Sequence, residues 1–232
     1  MRILGIDTAT DAVSAAVMRD GRLETQFYLH IGRKHSQTLL PAMEQMLERA
    51  GLTLADMNAI AVCAGPGSFT GVRIGVATAS ALSYVLDIPV FEVSTLDALL
   101  ALAPEPLPAC ALLDARRDQV YVKAQYGKDI VINESAVALG EVFRALDGNA
   151  QRWVFTGDGA VVHAEEIRRA VPEACFMPEA ISFPTAAGAC ICAWRGTAPE
   201  RRHDTLRTRY LRAPQAQRAL ERKKAESEST QV

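Results

Sequence analysis

Apolar residues recur along this chain in two rhythms, and the switches between them lay out its elements. Arg2-Ile3-Leu4-Gly5-Ile6-Asp7 predicts a strand, followed by the polar turn Thr8-Ala9-Thr10-Asp11. Ala12 to Met18 predicts a second strand, and Arg19-Asp20-Gly21 turns the chain into a third, Arg22 to Leu29. From His35 to Ala50 the period lengthens: Leu39, Leu40, Met43, Met46, Leu47 and Ala50 share one face of a 3.6-residue helix, with Glu44, Gln45, Glu48 and Arg49 on the wet side. Pro41 sits in the first turn or kinks the helix there, and Gly51 ends it. The apolar run Ala59 to Cys63 has strand length. It enters the glycine-rich stretch Ala64 to Gly75, and a nearly uncharged helix then runs to Leu86. Asp87-Ile88-Pro89 turns into the strand Val90–Val93. Ser94-Thr95-Leu96-Asp97, an N-cap with its acid at the third position, opens a helix through Ala103.

Pro104, Pro106 and Pro108 mark a linker, and the theme then repeats. Ala109 to Leu113 predicts a strand ending at Asp114, Arg116-Arg117-Asp118 a turn, Gln119 to Tyr126 a cleanly alternating strand, and Ile130-Val131-Ile132 another. Helical patterns lie at Leu139–Leu146, Gly159–Ala170 and Pro184–Trp194, with a strand at Trp153–Thr156. Gly157-Asp158-Gly159 caps that strand, either as a plain turn or facing a ligand. Two halves that each begin strand, Asp, turn, strand point to a duplicated fold. The division expected is a lobe over 1–103, a smaller lobe over 104–200, and a segment over 201–232 able to pack back on a lobe, with its end frayed from Ala213.

The stretch Ala64-Gly65-Pro66-Gly67-Ser68-Phe69-Thr70-Gly71 holds three glycines and a proline within seven residues, which fixes a tight, irregular turn. Such a turn aims backbone N–H groups and a helix N-terminus at an anion, or seats a helix closely on a sheet. The second reading is favoured locally. No G-x-x-x-x-G-K-[ST] is present, and no acid stands at the dinucleotide spacing. In the helix that follows, Gly71, Gly75, Ala79 and Ser83 recur every four residues, and Val72, Val76, Leu82, Val85 and Leu86 fill most of the remaining circumference. Arg73 is the only charge. A helix without a polar face predicts burial all round, one side on its own strand and the other on a partner.

At 232 residues, 49% hydrophobic and 22% charged, the chain has room for one large domain or two of about a hundred residues. The net charge of −2 argues against a nucleic-acid-coating protein, yet it conceals a split. Residues 1–194 carry 15 Lys/Arg against 22 Asp/Glu, and residues 195–232 carry 10 against 5. A basic tail can touch RNA, although a solvated tail is the commoner explanation. Neither a signal peptide nor a membrane segment is recognisable. Five cysteines without C-x-x-C spacing fit reduced thiols of the cytosol, so a cytoplasmic protein is expected. Cys190-Ile191-Cys192 has no accompanying histidine, and His30 and His35 lie five apart without a suitably spaced carboxylate, so neither pair predicts a metal site. An Asp ending the first strand of a hairpin, as Asp7 does, holds a metal in some nucleotide folds while hydroxyls face the phosphates, and is otherwise a turn former.

Leu4-Gly5-Ile6-Asp7-Thr8-Ala9-Thr10, Arg33-Lys34-His35-Ser36, Ala64 to Gly75, Val93-Ser94-Thr95-Leu96-Asp97 and Arg209-Tyr210-Leu211-Arg212 together resemble the TsaB (YeaZ) family, strongly in the first half and mainly in length and order in the second. That family resembles in turn the larger TsaD proteins of the actin/Hsp70/sugar-kinase (ASKHA) ATPase fold. The resemblance implies an α/β, ASKHA-like, duplicated ββαβαβ-type fold in two lobes, the second truncated. It implies a bacterial role in forming N6-threonylcarbamoyladenosine (t6A) at adenosine 37 of tRNAs reading ANN codons. There a TsaD-like protein is the transferase, a TsaE-like protein the ATPase, and the TsaB-like chain a non-catalytic partner and scaffold.

The departures from the TsaD pattern shape what is expected of this chain. TsaD proteins carry a Val-His-His-Met-Glu-Gly-His-like segment that binds metal. Here Val93-Ser94-Thr95-Leu96-Asp97-Ala98-Leu99 puts Thr95 and Leu99 at the ligand positions, and neither makes a good ligand. Asp11-Ala12 also stands where the relatives have Asp-Glu. The chain is therefore expected to have no catalytic, metal or cofactor site of its own, with Asp7, Asp11, Gly65 and Gly67 as remnants of a phosphate site and ATP and metal used by the partner subunits. The resemblance implies a heterodimer with the TsaD-like protein, a homodimer when alone, and a larger complex with the TsaE-like ATPase. The expected pairing surface is Leu39, Met43, Met46 and Leu47 with Gly71, Val72, Gly75, Ala79 and Ser83, so that Gly75→Arg would leave the monomer folded and abolish pairing. tRNA would be met indirectly or weakly through the complex, with Arg201, Arg202, Arg207 and Arg209 as candidate contacts. The alternative is a stand-alone ASKHA-type ATPase or small-molecule kinase, since Asp7, Asp11 and the glycine loop survive. A peptidase, suggested by the glycoprotease name of relatives, finds no H-E-x-x-H and no recognisable nucleophile–base pair.

Overall fold

Strand β1 (Arg2–Asp7) lies inside the first sheet of the computed structural model, and its alternation accounts for the layers on both sides. Leu4 and Ile6 join one apolar cluster with residues of α1 (His35–Arg49) and α2 (Phe69–Leu86). Ile3, with its neighbours on the other face, packs against α7 (Ala186–Trp194). Antiparallel to β1 runs β2 (Ala12–Arg19), and antiparallel to β2 runs the edge strand β3 (Arg22–His30). On the other side of β1 lie the parallel strands β4 (Ala59–Cys63) and β5 (Val90–Val93), and the short β11 (Glu200–Arg201) closes the edge. Helices on both faces explain why β1, β2 and β4 are apolar almost throughout. The structure describes residues 1–30, 32, 34–116, 118–147 and 152–212; Arg33 of the resembling motif, Arg117 of the turn and the tail from Ala213 lie outside the described residues.

The second sheet repeats the first. Its order β10-β9-β6-β7-β8 matches β5-β4-β1-β2-β3, with β6 (Ala109–Asp114), β7 (Gln119–Tyr126), β8 (Asp129–Ala138), β9 (Val154–Thr156) and β10 (Cys175–Phe176). One face packs Ala109, Ala111 and Leu113 on α3 (Thr95–Leu100), which lies with α7 between the sheets. The other face packs on α4 (Leu139–Leu146), α5 (Asp158–Val162) and α6 (Ala164–Ala170). These helices have 8, 5 and 7 residues, against 15 and 18 for α1 and α2, so the second half is the abbreviated copy.

Several elements differ from their sequence expectation. β8 runs on past Ile132 to Ala138, pairing with β7 down to Gln119. The helical pattern from Gly159 to Ala170 breaks at His163, whose φ of −102° and ψ of 18° separate α5 from α6. Residues 186–200, counted with the second lobe by sequence, return to the first sheet: the Ala186 N–H donates to Ser14 Oγ at 2.8 Å, and β11, which begins at Glu200, pairs with β5.

Helix α2, by length and composition alone long enough to cross a membrane, is buried on one side within this chain, and the small-residue stripe expected to meet a partner lies on that side. Its buried residues are Gly71, Val72, Gly75, Ala79 and Ser83, which face the chain's own sheet, while Tyr84 is 69% and Val85 77% exposed. The small stripe has a local cause. Thr8 Oγ1 donates to the Gly71 carbonyl at 2.7 Å, a Cβ on Gly75 would stand 2.5 Å from Thr8 Oγ1, and a Cβ on Gly71 would collide with the Thr8 carbonyl oxygen. Gly75→Arg is therefore expected to unfold the monomer, contrary to the sequence reading. Gly71→Ala is expected to cost about 3 kcal/mol or more in chemical denaturation, since backbone meets backbone and neither yields. Gly140→Ala, with nothing within 4 Å of its Cβ, should stay within about 1 kcal/mol of the parent.

Candidate functional site

Asp7 and Asp114 occupy the same place in the two sheets, at the ends of β1 and β6. Open α/β sheets collect ligands at such strand ends. Between them lies a cleft of about 480 Å³, lined among others by Thr10, Asp11, Ser68, Asp114, Asp158 and Arg212. Asp7 is wholly buried. One carboxylate oxygen accepts from the Ala9 N–H at 3.3 Å, and the other has no partner among the described residues. Burial pushes its pKa up to about 7, against the pull of the Cys63 thiol and the Ala9 N–H and with a further push from Asp158. Asp158 accepts from the Asp114 N–H at 3.1 Å. Burial pushes it to about 6, and the charges of Asp114 and Asp11 add to the rise. The cleft thus gathers Asp11, Asp114 and Asp158 from both halves, while Asp7 is wholly buried and does not line it; burial disfavours the charge of Asp7 and of Asp158.

The glycine loop serves packing. Ser68 Oγ caps α2 by accepting from the Gly71 N–H at 3.3 Å, and the Ser68 N–H donates to the Ala9 carbonyl at 2.7 Å. A Cβ on Gly65 would collide with the Arg209 carbonyl oxygen, and one on Gly67 with that of Ala9. Two of the loop's N–H groups are engaged inside the protein and its glycine faces meet carbonyl oxygens, so these residues do not fit a phosphate cradle. Nor do the metal positions of the relatives fit a metal here. Thr95 is buried with its hydroxyl unpartnered among the described residues, and Leu99 packs in the apolar cluster of Leu96, Leu100 and Leu113. Among the described residues no group of three or more His, Cys, Asp or Glu converges as a metal site. His30 lies against Phe183 with ring centroids 4.7 Å apart, whereas His35 is buried with Nε2 on the Thr10 carbonyl at 2.6 Å, so the two histidines do not meet. Cys190 and Cys192 are free thiols pushed by burial to about 12.

The expected pairing surface lies inside the chain. Leu39, Met43, Met46 and Leu47 are 1–5% exposed and join the cluster of Leu4, Ile6 and Val17, while Gly71, Val72, Gly75, Ala79 and Ser83 face the sheet. Large apolar side chains exposed on these helices are Leu40, Tyr84 and Val85, with Phe69 also exposed at the start of α2 but stacked on Tyr210. Residues 202–212, within the segment read from sequence as able to pack back on a lobe, form a strap across the chain. His203 packs edge-on to Tyr84, Tyr210 stacks on Phe69 at 5.3 Å and accepts from Arg73 Nε at 2.8 Å, and the Arg209 N–H donates to the Ala64 carbonyl at 2.7 Å. Arg209 pairs with Glu134 at 3.2 Å, and Arg212 donates to the Ala115 carbonyl at 3.0 Å, which ties the strap to the second half. The only sequence trace of this strap is the motif Arg209 to Arg212, which carries no periodic signal.

Because the folded chain keeps protons on Asp7 and Asp158 that the unfolded chain releases, stability should fall as pH rises from about 4 through 7. Asp7→Asn is expected to remove about 2–3 kcal/mol of the decline between pH 5 and pH 8, read from urea midpoints at each pH. An unchanged slope would show that Asp7 ionises freely in the folded state.

The sequence and the architecture both match known proteins. Residues 30–219 match the model of the TsaD family, tRNA N6-adenosine threonylcarbamoyltransferase. The tRNA threonylcarbamoyladenosine biosynthesis protein TsaB of Escherichia coli is 43% identical over 149 residues, 63% of this chain and 62% of that protein, so the alignment spans under two thirds of the relative's length. TsaB of Bacillus subtilis is 31% identical over 72% of this chain and 75% of its own length. The structure of YeaZ from Pseudomonas aeruginosa superposes with a TM-score of 0.72 at 30% identity, covering 90% of this chain and 99% of that one. Component A of the Acidaminococcus fermentans (R)-2-hydroxyglutaryl-CoA dehydratase, at 13% identity and a TM-score of 0.50, over 84% of this chain and 98% of its own, shares the fold alone. With the repeated strand order, the small-residue helix and these matches together, the chain belongs to the TsaB (YeaZ) family of tRNA threonylcarbamoyladenosine biosynthesis proteins.

Proposed function

We propose that this chain is the non-catalytic partner of a TsaD-like transferase in forming t6A at adenosine 37 of tRNAs that read ANN codons, in the cytoplasm. The observation that carries the reading is Leu99. It stands where the transferase relatives place a metal ligand, and it is a core residue, 1% exposed, packed with Leu113. A hydrocarbon side chain donates no electron pair, and the Thr95 hydroxyl beside it is a poor ligand on its own. The glycine loop, filled by carbonyl oxygens, supports the same reading. ATP and metal then belong to the partner subunits, the TsaD-like transferase and a TsaE-like ATPase in a larger complex, and tRNA is reached mainly through that complex.

The pairing surface moves from the buried stripe to the outward faces of α1 and α2, where Leu40, Tyr84 and Val85 lie in solvent. A homodimer formed through the same faces excludes the heterodimer. A second reading, a stand-alone ATPase or small-molecule kinase, rests on Asp11, Asp114 and Asp158 lining the cleft, and nucleotide titration of the isolated chain tests it.

Size-exclusion chromatography with light scattering tests the first reading. The chain alone should run as a homodimer and convert to a one-to-one heterodimer when mixed with its host's TsaD-like protein. Val85→Arg should abolish pairing at unchanged stability, while Leu47→Asp, in the core, should unfold the monomer. A monomer indifferent to the transferase overturns the proposal.

A further inference from the structure

The positive charge of this chain is concentrated in a described and anchored part of it. Residues 195–212 carry six arginines against Glu200 and Asp204, on a body with seven more acids than bases. Three of these arginines, Arg201, Arg202 and Arg207, line a groove of about 460 Å³ beside β11, together with Thr205, Glu92 and Glu200. The groove is built, not frayed. Leu206 is buried in the apolar cluster under α1 and α2, and pins the turn to the first sheet. Thr205 closes that turn: its hydroxyl oxygen accepts from the Arg202 N–H at 3.1 Å, and its N–H donates to the Arg202 carbonyl at 3.0 Å. Arg207 Nη1 donates to the Asp204 and Leu206 carbonyls at 2.9 and 3.1 Å, which holds its guanidinium in place with other donors uncommitted among the described residues. Glu92 is nearly buried and already answered by Arg201 Nε and the Arg207 N–H, each at 3.4 Å. Arg202 is exposed, and its guanidinium meets no acceptor among the described residues.

We propose that this groove is an RNA-backbone site, at which Arg202 and Arg207 take phosphodiester oxygens of the tRNA substrate while Arg201 neutralises Glu92. The inference rests on the proposed role in tRNA modification. Guanidinium forks fixed by backbone carbonyls suit phosphate oxygens, and they carry no base preference. The acidic body repels a polyanion elsewhere, so contact is confined to this edge.

Fluorescence anisotropy of a labelled tRNA transcript on the full chain, from 50 to 200 mM salt, tests the site. Arg202→Glu, which breaks no contact within the described residues, should weaken binding about tenfold at 100 mM salt and lower the salt slope by one to two. The loss should be equal for tRNAs of different anticodon. Arg207→Gln should act in the same direction, and Arg22→Glu, exposed on the far edge strand β3, should leave binding unchanged. No tRNA binding by the parent chain at 50 mM salt, an Arg202→Glu variant that binds as the parent does, or an equal loss in Arg22→Glu overturns the proposal. So does inorganic phosphate at 10 mM or less displacing the tRNA completely, which marks a single-anion site. Light scattering with the TsaD-like protein keeps the two readings apart: a chain that binds tRNA but never pairs refutes the scaffold role alone, and one that pairs but ignores tRNA refutes the groove alone.

Discussion

Thr8 is the point on which the first half of the chain is assembled. Its carbonyl oxygen occupies the space a side chain at Gly71 would need, and its hydroxyl holds the Gly71 carbonyl. A helix can come this close to a strand end only with a hydrogen atom in place of a side chain at the contact. Once α2 is seated, the loop before it has little choice: Ser68 bonds back to Ala9, and Gly67 lies against the same carbonyl. The strap then fastens to Ala64, on the strand side of that loop. The inward small residues and the outward Tyr84 and Val85 are thus two sides of one arrangement, in which the helix spends its small face on its own sheet.

The strands were legible wherever two-residue alternation or an unbroken apolar run was long enough, and the duplication could be read from Asp7 and Asp114 ending matching strands. What could not be read was which surface each helix face would meet. Periodicity tells which residues share a face, and the stripe from Gly71 to Ser83 suits a neighbouring backbone of the same chain as well as that of another. β8 continues past Ile132 through Asn133-Glu134-Ser135, where the apolar run ends and Glu134 pairs with Arg209, far along the chain. The break at His163 carries neither glycine nor proline, and β10 and β11 have two residues each, too few for any period. Asp158 was legible as a turn residue. Its place in the cleft depends on the Asp114 N–H and on how the two halves close, which no local pattern records.

The loop and the acids of the candidate site have parted company. The loop is rich in glycine, as an anion cradle would be, yet carbonyl oxygens of the chain occupy the space beside Gly65, Gly67 and Gly71. The acids remain where the fold collects ligands, and two of them hold protons well above the ordinary carboxylate range because burial disfavours their charge. A carboxylate oxygen without a partner among the described residues, buried as on Asp7, weakens the fold rather than supporting it. The proposed scaffold role draws on the first feature, and the kinase-like reading draws on the second.

The return of α7 and β11 to the first sheet sets an order of events during synthesis. One face of β1, β2 and β4 packs against α7, whose Ala186 bonds to Ser14 across 172 residues of chain. Until that helix has left the ribosome, the opening strands have one dry face and one wet apolar face, a state that invites chaperones or aggregation. Contacts of such separation also slow the final closure, because a long loop must be gathered before they form. The half of the molecule that is made first is therefore the half that is finished last.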